Sequence, residues 1–280
     1  MTVKLLVDST TDLPTEWLAK WDIPVLAAYV NFGDESFPDD GIALPRPEFY
    51  RRLEMGKGLP TTSAPAPGMA QKLMRQQLEK AEHVVAFALA SQFSSIYNTM
   101  RLAAEDVDPQ RITVVDSGQV TMGLGWMVVA AAEAAQRGAG PEEVIAAAMD
   151  TRKRLKLYAA IDTLEYLRRG GRVNTFVASV GTLLQIKPII DVVNGMVSTV
   201  QRVRTMSKAV QSLIDLARAQ APLERLAVLH SNYPAGAADL LARLQDIAPT
   251  DVITVDITTA IGTHVGAGCL GITTVTKQVK

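Results

Sequence analysis

The chain has 280 residues, enough for one large or two medium domains, and 48% are hydrophobic against only 5% aromatic, so its interior must be built from Leu, Val, Ile, Ala and Met. A formal net charge of −1 supplies no general attraction to nucleic acid or an anionic membrane, and no basic stripe is present. The one cysteine, Cys269, excludes an intramolecular disulfide and argues against a cysteine-based zinc site.

The first half alternates strand and helix. Val3–Ser9 is a short apolar run closed by polar residues, the pattern of a buried parallel strand, and Pro14 opens a helix over Thr15–Trp21. A second strand follows at Ile23–Phe32, then helices at Pro47–Glu54 and Gly68–Ala81, a strand at His83–Leu89, a helix at Ser95–Glu105 and a strand at Arg111–Ser117. Two Ala-rich helices, Gly125–Gln136 and Pro141–Arg152, complete this half. Strands separated by helices predict a parallel sheet covered on both faces.

The second half has a different rhythm. Lys156–Asp162 reads as a strand and Thr163–Arg169 as a short helix ending at Gly170-Gly171. Ile186–Val193 and Met196–Arg204 flank Asn194-Gly195, a strong hairpin signal. Helices are predicted at Ser207–Arg218 and Ala235–Leu244, strands at Leu223–His230 and Asp251–Ile257, and a last strand in Gly268–Val279. The expectation is therefore an α/β chain of two domains, 1–154 with a parallel sheet and 155–280 with a mixed sheet. The apolar run after Lys4 is too short for a signal-peptide core, and the longest apolar stretch, Met122–Ala132, is too short to span a membrane. A soluble cytoplasmic protein is expected.

Several familiar signatures fail. Gly266–Gly271 matches the dinucleotide fingerprint in letters, but only a strand-like tail follows where a helix must hold the pyrophosphate. Gly56-Lys57 lacks the upstream glycine of a phosphate-binding loop, and no Gly-x-Ser-x-Gly elbow occurs. His83, His230 and His264 lie far apart, without metal-ligand spacing.

Four segments carry polar groups at predicted strand ends, where open α/β sheets place ligands. Asp8–Pro14 either enters a helix with Thr11 or Asp12 as its cap or contributes to a site. Pro60–Pro67 offers Thr62 and Ser63 just before a helix, as a cap or as an anion site. Ala90–Thr99 offers Ser91, Ser94 and Ser95. Ile261–Gly268 sets His264 among glycines, away from an apolar helix face, which leaves a structural and a site role open.

Together with Val115–Ser117, Leu164–Arg172 (Leu-x-Tyr-Leu-x-x-Gly-Gly-Arg) and Ile186–Pro188, these segments resemble the DegV family in order and over nearly the whole length. The resemblance implies a two-domain α/β fold that holds one long-chain fatty acid, uses no cofactor and catalyses nothing itself. It further implies a separate fatty-acid kinase as partner, which turns the presented carboxylate into an acyl phosphate. Carried over by motif, Thr62, Ser63, Ser94 and His264 hold the carboxylate, while Arg172, Arg202 and Arg204 face the kinase. The chain departs from the family pattern at Phe93-Ser94-Ser95-Ile96-Tyr97, at Ala267 and at Ser231-Asn232, which bears on the chain that fits and on the head-group network.

Such a ligand is chemically consistent. Each buried methylene contributes about 0.8 kcal/mol, offset in part by ordering of the tail. The carboxylate must find charge-assisted hydrogen bonds when it leaves water. Two other readings stand beside this one: a hydrolase using a serine and His264, and a sugar-phosphate or nucleotide-binding module using the Thr/Ser loops.

Overall fold

The computed structural model describes residues 1–56, 59–172 and 186–278. Lys57 of the Gly56-Lys57 pair and Val279 of the last expected strand lie outside the described residues.

The first sheet has four parallel strands, β1 (Val3–Asp8), β2 (Val25–Leu26), β6 (His83–Ala88) and β7 (Ile112–Asp116), in the order β2-β1-β6-β7. Its central strands are apolar on both faces because helices cover both sides; every residue of β6 is buried. The helices of this half are α1 (Thr15–Lys20), α2 (Arg46–Glu54), α3 (Pro67–Leu78), α4 (Ile96–Val107), α5 (Met122–Gln136) and α6 (Pro141–Arg154). The chain leaves β1 toward β2 on one side and returns as β6 on the other. The carboxyl end of β1 is thus a topological switch point, where a crevice opens.

The stretch Ile23–Phe32, expected as one strand, is two. Val25–Leu26 joins the parallel sheet, while β3 (Tyr29–Phe32) pairs with β4 (Glu35–Pro38) and β5 (Thr61–Ser63) in a separate antiparallel sheet of order β4-β3-β5. Apolar content could not reveal the break at Ala27-Ala28, because both halves are equally good strand material. The Thr61–Ser63 strand also replaces the loop expected there, and α3 starts at Pro67 with no side-chain cap. Similarly, α1 has no side-chain cap; Asp8 instead caps a single 3-10 turn at Ser9–Thr11.

The second sheet is mixed and six-stranded, in the order β10-β9-β8-β13-β11-β12. Its strands are β8 (Leu155–Ala160), β9 (Lys187–Val193), β10 (Met196–Val203), β11 (Leu223–His230), β12 (Ile253–Asp256) and β13 (Leu270–Thr276). Only β11 and β12 run parallel; the Asn194-Gly195 turn closes the β9–β10 hairpin, as its sequence predicts. The helices here are α7 (Glu165–Arg169), α8 (Met206–Arg218), α9 (Pro234–Ala242) and α10 (Thr259–Val265). Leu213 and Ile214 of α8 and Leu240 of α9 fill a smaller core on one face of this sheet.

The larger core joins the two sheets around α5, which buries residues on all sides. Gly123 and Gly125 let it approach closely. A methyl on Gly123 would lie 3.2 Å from Leu157 Cδ1, and one on Gly125 would lie 3.0 Å from the Thr11 carbonyl. Trp126 then donates from Nε1 to Thr273 Oγ1 of β13 across 3.0 Å. No helix among the described residues is long and apolar enough to cross a membrane.

Candidate functional site

The crevice at the end of β1 opens into a cavity of about 340 Å³, within the usual range of small-molecule pockets. Leu89 and Val120 from the first half and Ile190, Val192 and Val197 from the β9–β10 hairpin form one part of its wall. Ile96 at the start of α4 and Ile261 of α10 form another. A mostly apolar wall assembled from both sheets suits a long apolar ligand. Among the described lining residues Arg172 is the one Lys or Arg, so the wall offers a sugar phosphate little positive charge.

Thr62, Ser63, Ser94 and His264, from three distant points of the sequence, all line this cavity. Thr62 and Ser63 are held by the pairing of β5 with β3, where they face Val30 and Tyr29 in register. Asn31 Nδ2 also donates to Ser63 Oγ at 3.2 Å. Ser94 precedes α4, and its Oγ accepts from the Ile96 amide at 3.3 Å. His264 does not sit in a loop: it is the penultimate residue of α10, with Gly266 just beyond the helix end. Its Nε2 shares a hydrogen bond with Thr62 Oγ1 at 2.9 Å. Burial, reinforced by the nearby Arg172 guanidinium, pushes the imidazole pKa down to about 4, so the ring is neutral at pH 7.

The Asp8–Leu13 segment organises the site. Asp8 accepts hydrogen bonds from Thr10 and, across 2.7 Å, from the Leu89 amide that begins the Ser94 segment. Ser9 donates to Asp39, whose other oxygen takes the Thr259 hydroxyl and the Ala260 amide of α10. Asp12, at φ 54°, accepts from the Thr258 amide at 2.8 Å. Three carboxylates thus hold the Ser94 segment and the His264 helix to the end of β1. Burial raises the pKa of Asp8 to about 6 and that of Asp12 to about 7. Asp39 escaped the sequence reading because a lone Asp in a polar stretch carries no signal until Ser9 and Thr259 converge on it.

Arg172 lies in the cavity wall beside the carboxylate candidates. Its Nε donates to the Phe93 carbonyl at 3.2 Å and its Nη1 to the Gly170 carbonyl at 2.7 Å. Arg202 and Arg204 are elsewhere, both exposed: Arg202 is on the edge strand β10 and Arg204 just beyond its end. Gly266–Gly271 follows α10 and runs into β13, which inverts the strand-then-helix order a dinucleotide requires.

The model of the DegV family, described as uncharacterised proteins, matches residues 2–277. The chain belongs to the DegV family. A relative in Thermotoga maritima named fatty acid-binding protein is 32% identical over 280 residues, covering 97% of this chain and 96% of the relative. Among solved structures, a fatty-acid-binding DegV family protein from Thermus thermophilus superposes with a TM-score of 0.91 at 28% identity, over 99% of this chain and all of the other. Bacillus subtilis DegV, described as a fatty acid binding protein, superposes with a TM-score of 0.88 at 30% identity, over 99% of this chain and all of the other. The parallel sheet with its companion mixed sheet is accordingly the DegV fold.

Proposed function

We propose that this DegV-family chain binds one long-chain fatty acid, its tail along the apolar wall and its carboxylate among Thr62, Ser63, Ser94 and His264. The observation that carries this reading is that those four residues line one largely apolar cavity, in which Thr62 Oγ1 and His264 Nε2 share a hydrogen bond. Hydroxyls and a neutral imidazole supply donors without burying a permanent cation, and the Arg172 guanidinium nearby balances the charge of an entering anion. The fatty-acid-binding relatives support the same ligand class.

On this reading residues 1–154 and 155–280 act as two domains that close on the ligand, one bringing the hydroxyls and the other the histidine. The protein is a carrier, acting without a cofactor in the cytoplasm, and its partner is a fatty-acid kinase that phosphorylates the presented carboxylate. Arg202 and Arg204 serve as the docking cations, because their exposed guanidinium groups can pair with carboxylates of a partner. Arg172 stands between the two roles, close enough to the carboxylate to act on it.

The hydrolase reading finds no support in the geometry. His264 Nδ1 is buried with no hydrogen-bond partner, so no described carboxylate orients the ring, and its Nε2 faces a threonine. The test is to purify the protein natively, extract it with organic solvent and identify the extract by mass spectrometry. Near-equimolar fatty acid is expected, with palmitate restoring one-to-one binding to the stripped protein. No fatty acid in repeated extracts, together with no binding of added palmitate, overturns the proposal.

A further inference from the structure

The segments Leu164–Arg172 and Gly262–Gly268 are locked together by an exchange of glycines for rings. α7 and α10 lie against each other. Where α7 gives Tyr166, α10 ends in Gly266: a methyl built on Gly266 would stand 2.4 Å from Tyr166 Cδ2 and Cε2. Where α10 gives His264, α7 ends in Gly170: a methyl there would stand 2.4 Å from His264 Nδ1. Real side chains do not approach so closely, so each ring occupies the space its opposite glycine leaves.

Backbone conformation does not require glycine at Gly170. Its φ of −73° and ψ of −3° are ordinary helical values open to any L residue. This distinguishes it from Gly171, whose φ of 72° favours glycine but whose side-chain direction is open. The demand for glycine at Gly170 comes chiefly from the imidazole, with the Tyr166 carbonyl, 3.1 Å from such a methyl, a lesser constraint. Gly170 is also fixed on its other sides: its amide donates to the Tyr166 carbonyl at 2.9 Å, and its carbonyl takes Arg172 Nη1 at 2.7 Å. One small residue therefore sets the position of the imidazole and of the guanidinium relative to each other.

We infer that Gly170 and Tyr166 are positioning residues for ligand binding: the Gly170–His264 and Tyr166–Gly266 contacts hold the imidazole with Nε2 on Thr62, where the carboxylate is received. The inference rests on the fatty-acid reading above. The ring is pinned along its Nδ1 edge and its helix is braced by Tyr166, so the donor set exists before ligand arrives. Such preorganisation spares the ligand the cost of ordering it.

The experiment is a double-mutant cycle on full-length, delipidated protein with palmitate as ligand. Gly170→Ala is expected to weaken binding roughly tenfold or more, and a melt of the ligand-free protein, read beside that of His264→Ala, separates this loss from the overpacking cost of the displaced ring. In a His264→Ala background the same substitution is expected to cost nothing, because the ring it collides with is gone. Tyr166→Ala is expected to weaken binding, and Tyr166→Phe, which keeps the ring on Gly266, to restore it. An equal Gly170→Ala penalty with and without His264, or full binding by Gly170→Ala, overturns the positioning role. If His264→Ala alone leaves palmitate binding intact, the carboxylate assignment itself is overturned.

Discussion

Ser94 and His264 reach the cavity by different routes, and their substitutions separate binding from folding in different degrees. Among the described residues His264 Nε2 bonds only Thr62 Oγ1 and its Nδ1 has no partner, so His264→Ala removes a donor to the ligand together with the ring that packs on Gly170. Ser94 Oγ also accepts from the Ile96 amide, so Ser94→Ala additionally loses a helix-end contact of about 1 kcal/mol. Each substitution is expected to weaken fatty-acid affinity by about 1.5–3 kcal/mol, one to two decades. Titration with a fluorescent fatty acid and a thermal melt of the stripped variants check both halves of this expectation. The buried Asp12 makes a second prediction, in pH. Its pKa rises from 3.8 to about 7 because burial disfavours the carboxylate. The folded chain therefore holds a proton that the unfolded chain releases, and the stability from this group is present at low pH and lost as the pH climbs through 7. Asp8, raised to about 6, acts in the same sense, whereas His264, depressed from 6.5 to about 4, opposes both between those values. Asp12→Asn should flatten the pH dependence of the melting temperature between pH 5 and 8, stabilising the protein most at pH 8. An unchanged slope would mean that Asp12 is ionised in the fold.

At the scale of elements, the β9–β10 hairpin joins the two halves as well as walling the cavity. The Gly195 amide donates to the Gly118 carbonyl at 2.8 Å, Gln119 Nε2 donates to the Val192 carbonyl at 3.1 Å, and Arg152 Nη2 donates to Asn194 Oδ1 at 2.6 Å. The Asp116–Gln119 turn that ends β7 is thus the seat of the hairpin tip, a role its Val-Asp-Ser sequence does not announce. Gly195 combines a φ of 74° with a crowded surround, since a methyl there would stand 2.0 Å from Gln92 Oε1. A methyl on Gly171, at φ 72°, would meet none of the described residues within 4 Å. Both alanine substitutions carry the backbone cost of a positive φ, about 1 kcal/mol. Gly195→Ala should lose more than Gly171→Ala, because Gln92 must also move and the seat on Gly118 is disturbed. Chemical denaturation of the two variants side by side tests the order; equal losses would show that Gln92 yields freely.

Over the whole molecule, the proposed ligand and the proposed partner would draw largely on separate surfaces. The cavity needs both sheets to be in place, so bound fatty acid should stabilise the assembled molecule by mass action, about 2.7 kcal/mol at one hundred times the dissociation constant. Arg202 and Arg204 lie outside the cavity lining, on or beside an edge strand. Replacing them by alanine should leave fatty-acid retention unchanged and slow acyl-phosphate formation by a cognate kinase. Arg172→Ala should lower both, because this guanidinium lines the cavity and ties Phe93 to Gly170. Ligand retention and kinase-dependent phosphorylation, measured on the same preparations, tell these cases apart. Loss of retention in the Arg202 or Arg204 variant would move that residue from docking to the fold or the pocket.

The amino-acid sequence by itself determined the elements whose signals are local. The buried parallel strands show as apolar runs, the β9–β10 hairpin as Asn194-Gly195, and the start of α6 as Pro141 at its first position. It also marked the polar segments at strand ends, from which the family resemblance singled out Thr62, Ser63, Ser94 and His264. Tertiary structure alone decided where those groups meet, and why. The split of Ile23–Phe32 between two sheets depends on which partner each half finds, and Thr61–Ser63 is a strand only because β3 is there to pair with it. Asp12 read as a possible cap, and Asp8 and Asp39 carried no signal of their own. Their work is to receive Leu89, Thr258 and Thr259 from far along the chain. Arg172 follows the Gly-Gly pair that ends a short helix and was expected to face the kinase, yet its Nε donates to the Phe93 carbonyl. In each case the deciding energy is a hydrogen bond or packing contact between residues distant in sequence, and a one-dimensional pattern carries no record of it.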